Sequence, residues 1–378
     1  MPRNLKNFVW LLLVLCLTGG LSVSAFGQGK DKLPKPPKTN TPPPPPGHES
    51  PGFFNDVDPV TTEKSIPVDA NVAIKLCVAE GDLRINGWRR NEVRVFVKEG
   101  RKFRLKPLEK SVESGKANWL WIGNVVEGRP APAAECLAGD TIEIDAPIGA
   151  NFDLLARTAR TSIDTVKKVK VKINQGMITL RNITGGISAY TGQGDVIVEN
   201  SGGAIDLEST TGNIVAVEVT PGQIGELFRA RTNSGAISLQ RIDHRQIEAS
   251  SISGSLLFDG KFSSGGIYKF RTTNGSIRLA IPAMSSCTFT TTYAEGNFHS
   301  EIPLKIVTEN VTPRAKIVVS KIGAGDATVN LTTSNGSIGI RKQITLEKGV
   351  SIIRHPSRPV AKAPRRAQRR SSLRASIR

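Results

Sequence analysis

Between residues 176 and 340, apolar and polar positions alternate in short runs, and each run opens on a glycine. Gly194-Asp195-Val196-Ile197-Val198, Gly203-Ala204-Ile205-Asp206-Leu207 and Gly212-Asn213-Ile214-Val215-Ala216-Val217 are successive copies. Gly235-Ala236-Ile237-Ser238-Leu239, Gly275-Ser276-Ile277-Arg278-Leu279 and Gly336-Ser337-Ile338-Gly339-Ile340 follow. Leading glycines at 176, 194, 212, 235, 254, 275 and 296 are spaced by 18, 18, 23, 19, 21 and 21 residues, with Gly185 and Gly203 near the half-steps. Alternation at a period of two puts Ile205 and Leu207 on one face and Asp206 and Glu208 on the other. A strand of four or five residues cannot bury a face alone. Stacking the next copy extends the apolar column and pairs the backbone groups. A repeat of about 20 residues with this pattern predicts the coils of a β-solenoid. Ile205, Leu207, Ile214, Ile237, Leu239, Ile277 and Leu279 are the expected inward residues. Asn233, Asn274 and Asn335 near the glycines suit turns, because Asn and Gly tolerate left-handed conformations.

Residues 57–150 alternate less regularly. Asn71-Val72-Ala73-Ile74-Lys75-Leu76 and Glu92-Val93-Arg94-Val95-Phe96-Val97 read as strands, and Thr141-Ile142-Glu143-Ile144-Asp145-Ala146-Pro147 as a strand ended by proline. This region is expected to cap the solenoid, since an exposed apolar end invites aggregation. At the other end, residues 316–319, 327–331 and 337–340 are expected to be the last strands. The reading is an all-β chain: a β-solenoid over 151–347 with an irregular β N-terminal cap over 57–150.

Gly81-Asp82-Leu83-Arg84-Ile85-Asn86-Gly87-Trp88, the strand from Glu92 to Val97, the run through Pro147-Ile148-Gly149-Ala150 and the Gly-x-Ile-x-Leu units together resemble a bacterial putative-adhesin family with β-strand repeats and undefined biochemical function. The resemblance covers residues 70–345. It implies a right-handed single-stranded β-solenoid (β-helix) on envelope or secreted proteins, and it supplies no catalytic residues. The chain departs from the family pattern at 101–140, where a Lys-rich insertion separates the early strands.

Charge changes the picture less than its total suggests. The net charge of the 378-residue chain is +18. Residues 1–56 and 348–378 together hold 16 basic and 3 acidic residues, which leaves 35 and 30 for 57–347, a net of +5. The folded part is near balance, so a nucleic-acid-binding fold is not expected. Residues 1–25 read as a signal peptide. Arg3 and Lys6 precede an apolar run from Phe8 to Leu17, and Val23-Ser24-Ala25 offers a cleavage site. An uncleaved anchor is the rival reading, and no transmembrane span is expected in the mature chain. Residues 26–56 form a Pro-rich linker, with prolines unbroken from 42 to 46. Residues 348–378 form a basic tail without apolar periodicity, expected to be disordered and suited to an anionic envelope. The chain is therefore expected to be exported to the periplasm, cell envelope or exterior.

Candidate chemistry is sparse. In an oxidising compartment Cys77 and Cys136 can form a disulfide worth about 3–4 kcal/mol, although two buried thiols fit the sequence equally well. Cys287 is then left over in the solenoid wall. His244 and His299 are 55 residues apart and no metal-ligand spacing occurs, so no metal and no cofactor are expected. Gly192-Gln193-Gly194 sits between strands and is not a nucleotide fingerprint. The Asn-x-Ser/Thr sites at Asn182, Asn274, Asn310, Asn330 and Asn335 read as turn and ladder residues. Asp206 and Glu208 share an outer face, with Asp195 and Glu199 one turn before them, and β-helix glycosidases and lyases use outward carboxylates. Carboxylates on a wet face also simply keep it soluble. No catalytic residue is assigned. The expected function is a non-enzymatic, adhesin-like or structural surface that meets cell-surface polymers or extended glycans. The alternative is a polysaccharide-active β-helix enzyme, a lyase or glycosidase, marked by two carboxylates and a basic residue from adjacent coils on one face.

Overall fold

The computed structural model describes residues 60–124, 136–223 and 225–343. The segments read as signal peptide, linker and basic tail lie outside the described residues. Among the described residues there are 24 β-strands in one hydrogen-bonded sheet and no helix.

The first strands are β1 (Val60–Trp88), β2 (Glu92–Gly100), β3 (Phe103–Lys110), β4 (Ala117–Asn124), β5 (Leu137–Pro147) and β6 (Asn151–Asp164). The repeat follows as β7 (Lys168–Gln175), β8 (Ile178–Arg181), β9 (Ile187–Gln193), β10 (Val196–Gly202), β11 (Ile205–Thr211), β12 (Ile214–Thr220), β13 (Leu227–Ser234), β14 (Ile237–Ile242), β15 (Gln246–Ser253), β16 (Leu256–Asp259), β17 (Ile267–Asn274) and β18 (Ile277–Ile281). The chain ends in β19 (Cys287–Glu295), β20 (Phe298–Ser300), β21 (Lys305–Val311), β22 (Lys316–Ile322), β23 (Ala327–Asn335) and β24 (Ile338–Lys342).

Each coil carries two strands, and each strand pairs in parallel with the one two further on. Odd strands β7 to β17 form a first column and even strands β8 to β18 a second. The sequence copies therefore belong to two series: Gly203 leads into the first column, whereas Gly194, Gly212, Gly235 and Gly275 lead into the second. Register stacks Ile187, Ile205, Phe228, Ile247 and Tyr268 inside the first column. Val196, Ile214, Ile237, Leu256 and Ile277 stack inside the second. All are buried, as are Leu207, Leu239 and Leu279. Burial of each large side chain is worth about 1.5–3 kcal/mol, and only the stack makes that burial available.

The columns do not stop at residue 150. Strands β1 and β6 run side by side through both columns, with residues 73–78 against 151–156 and 80–86 against 158–164. Strands β4 and β5 flank β1 on its other side, and β3 closes the first column antiparallel to β4. The insertion at 101–140 thus supplies β3 and β4, the outer strands of the first column at this end. The Cys77 and Cys136 sulfurs are bonded there, with Cα atoms 4.5 Å apart.

Two ladders between coils explain the turn composition. Turn glycines sit one above another. An added Cβ on Gly194 would lie 2.2 Å from the Gly176 carbonyl oxygen, and one on Gly212 would lie 2.0 Å from that of Gly194. Gly212 also has φ +151°, a region closed to other residues. Beside them runs a line of buried hydroxyls. Thr191, Ser209, Thr232, Ser251, Thr272 and Thr333 donate to the carbonyls of Gly176, Gly194, Gly212, Gly235, Gly254 and Gly275, at 2.8–3.0 Å. Each hydroxyl lies three residues before its own turn glycine and reaches the glycine of the neighbouring coil.

The last coils are not stacked in sequence order. Residues 327–331 and 337–340 were expected to finish the stack, but β23 pairs with both β17 and β19, and β24 with both β18 and β20. The chain passes over one rung, forms β19 and β20, turns through the antiparallel β21–β22 pair and returns to fill the gap. The filling coil carries Thr333-Ser334-Asn335-Gly336-Ser337-Ile338, close to Thr272-Thr273-Asn274-Gly275-Ser276-Ile277 of the coil it lies on. Asn335 accordingly donates to Asn274 at 2.7 Å, and Thr333 continues the hydroxyl line.

Candidate binding face

Side chains on the wet side of the first column fall into two straight rows, because parallel pairing in register places every second residue above its counterpart. One row is Asp206, Arg229, Glu248, Lys269, Asn330 and Thr290; the other is Glu208, Arg231, Ser250, Arg271, Thr332 and Thr292. The charged half of the face is laced with ion pairs. Arg231 lies 3.2 Å from Glu208 and 3.8 Å from Asp206, and Glu248 lies 3.4 Å from Arg229 and 3.0 Å from Lys269. The hydrogen bond from Lys269, with the charges of Lys269 and Arg229, holds the Glu248 carboxyl below its ordinary pKa against an opposing push from burial.

Arg271 differs from its neighbours. It is exposed, stands between Ser250 and Thr332 in its row, and has no ion-pair partner among the described residues. Beyond it the face turns to hydroxyls and amides. An open groove of about 530 Å³ runs over this border, lined by Arg229, Arg231, Glu248, Ser250, Lys269, Arg271, Thr290, Thr292, Asn330 and Thr332 among others. A second groove of about 310 Å³ shares Arg231, Ser250 and Arg271 with it.

Of the four carboxylates considered from sequence, only Asp206 and Glu208 lie on this face. Glu199 points outward from the second column and pairs with Arg181 at 2.7 Å, and Asp195 is a turn residue whose carboxylate accepts the Asn213 amide at 2.7 Å. The arrangement named for an enzyme does occur in outline: Asp206, Glu208 and Glu248 meet Arg229, Arg231 and Lys269 from adjacent coils. Each of these carboxylates is engaged by a cation. Arg271 and its threonines were not singled out from sequence. Their signal is the outward position of Lys269-Phe270-Arg271 and Thr290-Thr291-Thr292, which only the register places together.

Neither histidine belongs to this face. His244 is fully buried at a corner, edge-on to Phe228 with centroids 5.6 Å apart. Its Nε2 lies 2.8 Å from the Gly203 carbonyl oxygen and donates to it, while Nδ1 has no partner among the described residues. Burial pushes its pKa below the ordinary value, opposed by the bond to Gly203 and the charges of Glu226 and Asp243. His299 is exposed on β20. Cys287 is buried, and burial pushes its thiol up to about 12. Among the described residues no group of three or more His, Cys, Asp or Glu side chains is placed to hold a metal ion, and no helix is long and apolar enough to cross a membrane.

Coils stacked in two columns, with an open polar outer face, define a β-solenoid with a candidate surface site. Residues 217–341 match the family Toastrack DUF4097. That match supports the resemblance to a bacterial putative-adhesin family with β-strand repeats that the sequence motifs carry. Among solved structures, the chain is similar to a putative adhesin from Parabacteroides distasonis ATCC 8503, at 12% identity and a TM-score of 0.40, over 75% of this chain and 98% of that one. It is also similar to a putative adhesin from Parabacteroides merdae ATCC 43184, at 11% identity and 0.39, over 75% and 96%. A third is a putative lipid binding protein from Parabacteroides distasonis ATCC 8503, at 11% and 0.37, over 75% and 97%. No curated protein matches the chain.

Proposed function

We propose that this is an exported, non-enzymatic surface protein of the cell envelope or exterior, adhesin-like, which binds extended polymers along the outer face of its first column. The observation that carries the reading is the double row of outward side chains that passes through Arg271 into Asn330 and the threonines. Rungs about 4.8 Å apart present guanidinium, hydroxyl and amide groups in straight lines, and a stretched glycan chain can lie along them with several weak contacts in register. Arg271, without an ion pair among the described residues, suits a carboxylate or sulfate on such a chain. The basic tail, with nine basic and no acidic residues over 354–378, tethers the protein electrostatically to anionic envelope polymers or head groups.

Affinity electrophoresis tests the face. A chain ending at Ile353, without the basic tail, should be retarded in gels containing an acidic polysaccharide such as polygalacturonate, and Arg271→Gln in that chain should remove most of the retardation without shifting the urea midpoint. Equal mobility of wild type and variant in acidic and neutral polysaccharide gels refutes the assignment of the face. Release of reducing or unsaturated sugar ends, abolished by Asp206→Ala or Glu208→Ala, overturns the non-enzymatic reading in favour of a polysaccharide-active enzyme.

A further inference from the structure

Asp206 is not the first residue of its row. Pairing carries the row back through Ser188, Lys170 and Asp153 to Lys75 on β1, then to Trp121 on β4 and Lys106 on β3. At this end the face carries aromatic rings. Trp119 and Trp121 both point outward from β4, because the alternate residues Leu120 and Ile122 are fully buried. Trp119 is 41% exposed and stands beside the small side chain of Ala73. The Trp121 indole is laid along the strand over Gly123. A Cβ added to Gly123 would lie 2.1 Å from both Cζ2 and Cη2 of Trp121 and 3.0 Å from Cε2. Cε2 would be farther away if the ring met the glycine edge-on, so the face of the indole covers it. Gly123 is accordingly buried although its position is on the outer side of the strand. One face of the indole is seated on backbone and the opposite face is turned outward.

The surroundings of the ring select a ligand. Lys75 and Lys106 occupy the rungs on either side of Trp121; both are exposed, and neither has an ion-pair partner among the described residues. Among the described residues no cation stands over the Trp119 or Trp121 ring, whereas Arg90 and Arg94 cover the Trp88 ring at 5.1 and 5.7 Å. A flat indole takes the C–H face of a pyranose ring, whose polarised hydrogens meet the negative face of the π-system. Ammonium groups from the strands on either side suit a carboxylate carried on that sugar. A single-stranded nucleic acid also stacks, but it tracks an unbroken basic groove, and the rung beyond Lys75 carries Asp153. A glycan can present a neutral sugar there. We propose that Trp121, seated by Gly123 and flanked by Lys75 and Lys106, is a second subsite of the face, one that stacks a single acidic sugar ring. The proposal rests on the polymer-binding reading of the face and extends it. The subsite lies eight rungs from β17, which carries Arg271, a span of about 38 Å at the usual strand spacing. A long chain that reaches both is held by two linked contacts, so losing either releases most of it.

Tryptophan fluorescence of the mature chain titrated with trigalacturonate tests the subsite separately from Arg271, because three sugars are too short to span the two. Far-UV circular dichroism is the folding control for each variant. Binding should shift the emission and reduce quenching by acrylamide, and neutral maltotriose should do neither. Trp121→Phe should remove the shift. Lys75→Gln/Lys106→Gln should weaken binding about tenfold, the loss expected for two exposed charge contacts. Gly123→Ala should also weaken it, because the atoms nearest its new methyl all belong to the indole, which must leave its seat. Arg271→Gln should leave the response intact. A response that persists when Arg271→Gln has no effect in polysaccharide gels supports the subsite and overturns only the assignment of Arg271. An absent response, or one that is equal for maltotriose, retained by Trp121→Phe or indifferent to the two lysine changes, overturns the subsite whatever the gels show. An equal response to oligothymidylate overturns it in favour of nucleic acid. If the Trp121 contribution to quenching appears only when residues 126–134 are removed, that segment is the occupant and the proposal falls.

Discussion

Replacing Gly212 with alanine tests the physical basis of the stack most directly. The new Cβ would lie 2.0 Å from the Gly194 carbonyl oxygen, more than 1 Å inside ordinary contact, and the obstacle is backbone, which cannot rotate away. The coils must separate locally. Bonds that cross this gap include Gly194 N–H to the Thr211 carbonyl at 2.8 Å, Val196 N–H to the Asn213 carbonyl at 2.9 Å, the Ser209 hydroxyl to the Gly194 carbonyl at 2.9 Å and the Asn213 backbone N–H to Asp195 at 2.7 Å. Losing two of them costs about 2 kcal/mol at about 1 kcal/mol each. The φ of +151° adds strain of about 1–3 kcal/mol. Gly212→Ala should therefore destabilise the chain by about 3–5 kcal/mol. Gly265→Ala is the control: its φ is +70°, but nothing lies within 4 Å of the added Cβ, so only the conformational cost of about 1–2 kcal/mol remains. Urea unfolding followed by far-UV circular dichroism gives both values, provided the slope with denaturant is unchanged. If Gly212→Ala costs no more than Gly265→Ala, close stacking is not what the repeat glycines provide.

Two further outcomes follow from other parts of the fold. His244 binds a proton less readily when folded than its ordinary value of 6.5 allows, so the unfolded chain takes up more protons as the pH falls and stability drops below about pH 6.5. His244→Phe should flatten the slope of unfolding free energy between pH 7 and about 5, and equal slopes would refute the buried neutral imidazole. Non-reducing peptide mapping should recover a Cys77–Cys136 cross-link closing a separation of 59 residues. The variant with both changed to alanine should lose about 4 kcal/mol by the chain-entropy relation, and two thiols that label freely in the native protein would refute the bond.

Much of this architecture is written in local pattern. The alternation around Ile205, Leu207, Ile237 and Leu279 determines which face is buried, because a strand's side chains change sides at every residue and a stack needs one apolar face. Repeated glycines mark the turns for the same reason in every coil. Other features depend on residues that meet only across coils. Thr232 reads as an ordinary turn hydroxyl until the Gly212 carbonyl of the next coil stands 3.0 Å away. Arg271 stands without an ion pair among the described residues because Ser250 and Thr332, 21 residues before it and 61 after it, occupy the flanking rungs. The order of the last coils is likewise invisible along the chain: Asn335-Gly336-Ser337-Ile338 looks like one more repeat, and nothing local says that it fills a rung the chain had passed over. Backbone periodicity is a short-range property and is carried by each strand alone. Which coil lies on which is decided by matching whole ladders of hydrogen bonds, hydroxyls and charges between strands, and that match exists only in the folded stack.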